Sequence, residues 1–178
     1  MTAREAGALE KPPASLLDRP LAYILADHDR HRRACEVLRR IAKGQPVSQA
    51  CIGVLKSYLA DDVARHHDDE DEVLFPALRR RALPEDELSE VLLRLERDHR
   101  ESYAILQDIL NFLDAAATDG DVAVTPTVAA VILRYTAREI RHLAIENAVV
   151  MSIAEVRLTR TDLAAMSRLM KLRRGLEP

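Results

Sequence analysis

Apolar residues recur at helical spacing along most of the chain, and capping and breaking residues divide that pattern into four long helices and a short fifth. The first covers about 20–43, with Asp18 as its cap, Pro20 in the first turn and Gly44 ending it. Its stripe reads Leu21, Ile24, Leu25, His28, His31, Cys35, Leu38 and Ala42. Ser48 caps a second helix that turns Leu55, Leu59, Val63, His66, Glu70 and Leu74 inward, and Pro76 is expected to bend or end it. The third starts after Pro84, where Glu85, Asp86 and Glu87 suit the positive end of a helix dipole, and runs to about Ala117. Its face carries Leu92, Leu95, His99, Tyr103, Leu106, Leu110 and Leu113. Beyond a connector through Asp119, Gly120 and Asp121, the pair Thr125-Pro126 opens a fourth helix with Val128, Ile132, Tyr135, Glu139, His142, Glu146, Val149 and Ile153 on one side. A fifth, over 161–174 and closed by Gly175, is expected on the outside.

Short connectors make sequential helices antiparallel, so the predicted fold is all-α: an up-down-up-down antiparallel four-helix bundle with a short C-terminal fifth helix. Residues 1–15 read as a flexible N-terminal extension and 16–178 as the bundle domain. Composition agrees, since the 178 residues are 48% hydrophobic with only 3% aromatic, too few strand formers for a β-rich fold. A formal charge of -3 excludes a dominant nucleic-acid footprint, and Lys171, Arg173 and Arg174 are expected to be surface residues. No apolar run reaches membrane-spanning length and the start lacks a signal-peptide pattern, so a cytoplasmic protein with no membrane partner is expected. If His28 and His66 share a level, Cys35 and Cys51 are offset by roughly 12 Å, beyond disulfide reach, and two buried thiols are expected.

The histidines change the picture. Five of the six histidines lie on core-facing stripes, and Glu70 and Glu146 each follow a histidine by four on the same face. A buried carboxylate costs several kcal/mol unless it is paired or coordinated, and no Lys or Arg occupies these stripes at that level. Counting from each connector tests the height independently: His28 is about 17 residues before the first and His66 about 20 after it, while Glu70 is about 13 before the second and His99 about 16 after it. His99 and His142 lie about 23 and 20 residues from the third. His28, His66, His99 and His142 therefore meet in one layer with Glu70 and Glu146. One histidine on an apolar face is ordinarily a hydrogen-bonded core residue, but six positions agreeing in face, level and spacing point to metal. Mixed imidazole and carboxylate donors suit iron, manganese or zinc, and two bridging carboxylates suit a pair of ions.

The string from His66 and His67 through Asp71 to Leu74-Phe75-Pro76, with Asp27-His28, Asp98-His99 and His142-Leu-Ala-Ile-Glu146, resembles the hemerythrin-like, HHE cation-binding domain over about 16–175. The resemblance implies a di-iron centre in which His28 and His66 bind one iron, His99 and His142 the other, and Glu70 and Glu146 bridge them. Oxygen-carrying members have a further histidine where this chain has Tyr103, so the set is more like the branch linked to nitric oxide, iron sensing and repair of iron centres. The cysteine-bearing N-terminal segment of the repair proteins has no counterpart here, which weakens that role.

Four residues stand at the margin of the set. His67 and His31 are candidate extra ligands or supporting hydrogen-bond donors, Tyr103 is expected to face inward near an open position, and Glu139 is placed to orient His142 or a neighbour. Glu96 and Glu139 each precede a histidine by three, as in ferritin-like di-iron bundles, but the first helix offers no glutamate at that level. The expected function is a non-haem di-iron protein that binds or senses oxygen, nitric oxide or peroxide. The alternatives are a di-iron enzyme acting on peroxide or nitric oxide, with Tyr103 or His31 handling protons, and an iron-buffering or iron-sensing protein read by an unidentified partner.

Overall fold

Helices and the turns between them make up the described residues, 9–119 and 123–177, of the computed structural model, and no strand occurs among them. Helix α1 is Pro20–Ala42. A continuous rod, α2, is assembled from Gln49–Ser57, a π turn Tyr58–Asp62, Val63–Asp69, a second π turn Glu70–Leu74, and Phe75–Arg81. Helix α3 is Leu88–Asp119. The rod α4 joins Pro126–Ile145, the π turn Glu146–Val150 and Met151–Arg157, and α5 is Arg160–Arg173.

The ends follow from local chemistry. Ser48 and Thr125 cap α2 and α4 by accepting from the backbone N–H of Cys51 and Val128. Gly44, at φ 66°, reverses the chain after α1, where Gln45 N donates to Arg40 O at 3.0 Å. Asp18 is not a cap: it closes a 3-10 turn, Ala14–Asp18, and Arg19 takes the N-cap position with no side-chain bond. Pro20 makes a cap less necessary, having no N–H to satisfy and a preset φ. The acidic trio likewise precedes α3 rather than opening it. Asp86 lies in a 3-10 turn where its carboxylate accepts from Leu83 N and from Arg157, and Glu87 then turns left-handed at φ 47°. Pro76 does not end α2, because the π turn stops just before it and leaves it in the first turn of a new α segment, where its missing N–H breaks no bond.

Contacts across the helices pair their residues in opposite order. His28 and Arg30 of α1 meet Glu70 and Asp62 of α2; Gln49 and Arg79 of α2 meet Ala116 and Glu96 of α3; His31 and Arg39 of α1 meet Glu139 and Thr136 of α4. Five helices thus associate as a helical bundle. Two apolar clusters fill it: one holds Leu38, Leu55, Leu59, Leu113 and Ile132, the other Ile24, Leu74, Phe75, Leu95 and Met170. Both clusters reach the polar layer between them: Phe75 of the second stacks on His99, and Tyr58 of the first stands edge-on to His31.

Helix α5 is held by charge as well as by Met166 and Met170. Arg173 and Arg174 both donate to Asp69, which is buried, and Arg174 also reaches the Tyr23 hydroxyl. The arginine-rich end is therefore a clamp rather than a free surface, a correction that follows from a buried carboxylate needing partners. Of the 1–15 extension, residues 1–8 lie outside the described residues, while Leu9 is buried and its carbonyl accepts from Arg30. The connector positions 120–122 are likewise outside them. Cys35 and Cys51 are both buried and are not in a disulfide.

Candidate metal centre

Each of the four long helices delivers one histidine to a common buried layer, and α2 and α4 each add a glutamate one turn later. Both glutamates are the first residue of a π turn, Glu70–Leu74 and Glu146–Val150. A π turn inserts a residue into the helix and rotates everything that follows, and such insertions are frequent at functional sites. The rotation is visible in α4: a strict 3.6 period would bury Val149 and Ile153, whereas Val150 and Ala154 are the fully buried positions.

The layer is tightly convergent. His28 Nε2 lies 3.1 Å from Glu70 Oε1 and 3.4 Å from Glu146 Oε2, and His66 Nε2 lies 3.5 Å from Glu70 Oε2. On the other side, His99 Nε2 lies 3.4 Å from Glu70 Oε2, and His142 Nε2 lies 2.9 Å from Glu146 Oε1 and 2.9 Å from His99 Nε2. Two donor groups result, each with ligand atoms within 4.8 Å of one another: His28, His66, Glu70 and Glu146, and Glu70, His99, His142 and Glu146. Glu70 and Glu146 belong to both.

The outer ring nitrogens say what the inner ones offer. His28 Nδ1 lies 2.6 Å from Asn147 Oδ1 and His99 Nδ1 lies 2.9 Å from Asp71 Oδ1, so each ring donates outward. A neutral imidazole that donates from Nδ1 carries its lone pair on Nε2. In a neutral layer, lone pairs would therefore face carboxylate oxygens and one another. Glu70 Oε2 and both oxygens of Glu146 are buried without a hydrogen-bond partner. Such a donor set, deprived of water, is matched by cations and by little else.

Protonation tells the same story. Burial, reinforced at His66 and His67 by neighbouring imidazoles, pushes His28, His66 and His67 below the ordinary histidine range and His31 down to about 3, favouring neutral rings. Burial also opposes charge on His99 and His142, but Asp71 and Glu146 outweigh it at His99, which rises to about 9, and Glu146 and Asp98 do so at His142. Burial and the neighbouring Glu146 raise Glu70, while His142 holds Glu146 low against its own burial. With their Nε2 atoms 2.9 Å apart, one of His99 and His142 donates to the other, and a proton held by this pair supplies positive charge where a cation would otherwise supply it.

The four marginal residues fall differently. His67 is buried, stacked on His99 at 4.0 Å with the rings 13° apart, and belongs to neither donor group. His31 and Glu139 sit one turn away, with His31 Nε2 3.2 Å from Glu139 Oε2 but outside hydrogen-bonding geometry, and Ser102 Oγ donates to Glu139 Oε1 at 2.5 Å. Tyr103 does not face inward. It is 40% exposed, its ring edge-on to His67 at 5.5 Å, because Ser102 takes the inward position beside Glu139. Glu96 pairs with Arg79 away from the layer.

Sequence reasoning missed the supporting roles of Asn147 and Asp71 and the buried phenols Tyr58 and Tyr135 as neighbours of His31. Asn147 directly follows Glu146 and meets the outer nitrogen of the ring whose inner nitrogen faces Glu146. No helix among the described residues is long and apolar enough to cross a membrane. A family model, the hemerythrin HHE cation binding domain, matches residues 19–154. No curated protein matches the chain.

Proposed function

This chain belongs to the hemerythrin HHE cation-binding family, and from that membership and its buried donor layer we propose that it is a non-haem di-iron protein that binds or senses oxygen, nitric oxide or peroxide. The observation that carries the proposal is that two four-donor clusters share Glu70 and Glu146. In this reading His28 and His66 hold one ion, His99 and His142 hold the other, and the two glutamates bridge. The frame is an up-down-up-down bundle, supported by the opposite order of contacts between neighbouring helices, and 16–178 act as one domain. Zinc and manganese accept the same donors, and the family resemblance favours iron.

Iron, when bound, supplies open coordination positions and a change of oxidation state to a small ligand. The chain's own residues prepare the site. Asn147 and Asp71 fix the rings of His28 and His99 so that Nε2 faces inward, and Phe75, parallel to the His99 ring at 6.0 Å, helps to exclude water. The two buried cysteines, outside any disulfide, accord with a reducing, cytoplasmic setting. Protein loaded with ferrous iron under anaerobic conditions is expected to change its absorption spectrum with oxygen, nitric oxide or peroxide; a spectrum unmoved by all three contradicts the proposal.

A second reading, an enzyme acting on peroxide, rests on His31, Glu139 and Tyr135. They are buried beside the layer, and both His31 nitrogens and the Tyr135 hydroxyl lack hydrogen-bond partners. They could hold or pass a proton between His31 Nε2 and Glu139 Oε2. Peroxide turnover that falls in Tyr135→Phe and His31→Ala at unchanged iron content favours this reading. Absence of turnover in the parent protein removes it and leaves the binding role.

A further inference from the structure

The two donor groups are equal in kind, two histidines each around the shared Glu70 and Glu146, so a difference between them comes from what stands behind the histidines. Behind His99 stands a carboxylate, Asp71, whose Oδ1 lies 2.9 Å from Nδ1. Behind His28 stands a neutral amide, Asn147, whose Oδ1 lies 2.6 Å from Nδ1. The outer nitrogens of His66 and His142 are buried without a hydrogen-bond partner, and Asp98 Oδ2 comes no closer than 3.8 Å to the latter.

The charge of Asp71 is also the one that is not cancelled. Its ion-pair partner among the described residues is His99, whereas Asp98 is taken by Arg138 at 2.6 Å and Asp69 by Arg173 and Arg174. Asp71 is partly exposed, so water screens it on one side, but the bond to His99 runs into the buried layer. A carboxylate that accepts from the outer N–H of a ligating imidazole makes the inner nitrogen more basic. A more anionic donor set favours the more highly charged ion, because attraction grows with the product of the charges. Asn147 accepts the same bond without bringing a charge.

We propose that the two metal positions are unequal: Asp71, acting through His99, makes the His99–His142 position the one that keeps a trivalent ion longer, and leaves the divalent ion to the His28–His66 position. The inference rests on the di-iron reading. Reduction of a diferric pair by dithionite takes two one-electron steps, each converting one ferric ion to ferrous, and the His99 side takes the second electron. Asp71 is a positioning residue that tunes this order without touching the metal. A small ligand that prefers ferrous iron then meets it first at the His28–His66 position.

A redox titration of the iron-loaded full chain, followed by electron paramagnetic resonance of the half-reduced pair, reads both steps. Asp71→Asn keeps the shape of the side chain and removes its charge. It is expected to raise the potential of the second step by about 59 mV, the equivalent of a tenfold loss of ferric preference, and to move the first step far less. Asn147→Asp places a carboxylate behind His28 and is expected to lower the first step and narrow the gap; if that variant fails to fold or to load, Asp71→Asn still decides. A second step unmoved in Asp71→Asn, both steps moved equally, or the first moved more would each overturn the inference while two irons per chain leave the di-iron reading intact. Fewer than two irons in the parent chain would overturn both.

Discussion

His28 donates from Nδ1 to Asn147 Oδ1 at 2.6 Å, and this outward bond leaves Nε2 facing Glu70 and Glu146. Groups that orient a ligating histidine commonly change metal affinity by about 10- to 100-fold when removed. Asn147→Ala is therefore expected to weaken metal retention by that factor, measured by competition with a chelator, with little change in helix content. An unchanged affinity would mean that the ring is held by packing alone.

The shared glutamates and the unshared histidines should separate by stoichiometry. His66→Ala removes a donor from one cluster only, so metal content is expected to fall from about two ions per chain to about one. Glu146→Ala touches both clusters and is expected to leave less than one. Equal losses in the two variants would argue against bridging.

Metal uptake should release protons. His99 holds a proton up to about 9 because Asp71 and Glu146 outweigh the effect of burial, so at pH 7 it is protonated without metal and must lose that proton to coordinate. Titration in two buffers of different ionisation enthalpy is expected to give different apparent heats. Heats independent of the buffer would exclude His99 as a ligand that deprotonates.

How much of this the sequence carries depends on where the helical period holds. The α2 stripe from Leu55 through His66 to Leu74 is buried throughout; counting from the connectors puts His28, His66, Glu70, His99 and His142 at one height, and Glu146 joins them by its spacing of four from His142. The period fails at the π turn of α4, where one extra residue moves full burial from Val149 to Val150. It also fails in α3, where the choice between two neighbouring positions went to small Ser102, which serves Glu139, and left Tyr103 at the surface. The clamp of Arg173 and Arg174 on Asp69 joins residues over a hundred positions apart, and no local pattern announces such a pair.

That clamp should matter for stability. Removing both cations in Arg173→Ala/Arg174→Ala strands a buried carboxylate, and breaking a buried pair costs about 3 kcal/mol or more. A lower denaturation midpoint is expected, with α5 losing hydrogen-exchange protection first. A midpoint equal to the parent's would show that Asp69 finds other partners or takes up a proton.

Acid should loosen α5 at its start. Bonds from the Thr159 hydroxyl and backbone N–H and from Arg81 hold Asp162 down, from the ordinary 3.8 to about 2. A depressed folded value means that the stabilisation is complete above about pH 4 and is lost as pH falls toward 2. Hydrogen exchange in α5 is expected to accelerate across that window, and Asp162→Asn to flatten the response. A response unchanged in the variant would place the titration elsewhere.

The most direct measurement is metal per chain by elemental mass spectrometry, on protein expressed with iron supplied and purified without a metal-affinity tag. About two irons per chain is the predicted result. A folded protein with almost no metal, unable to take up iron anaerobically, would contradict the account and leave the histidine layer a structural feature.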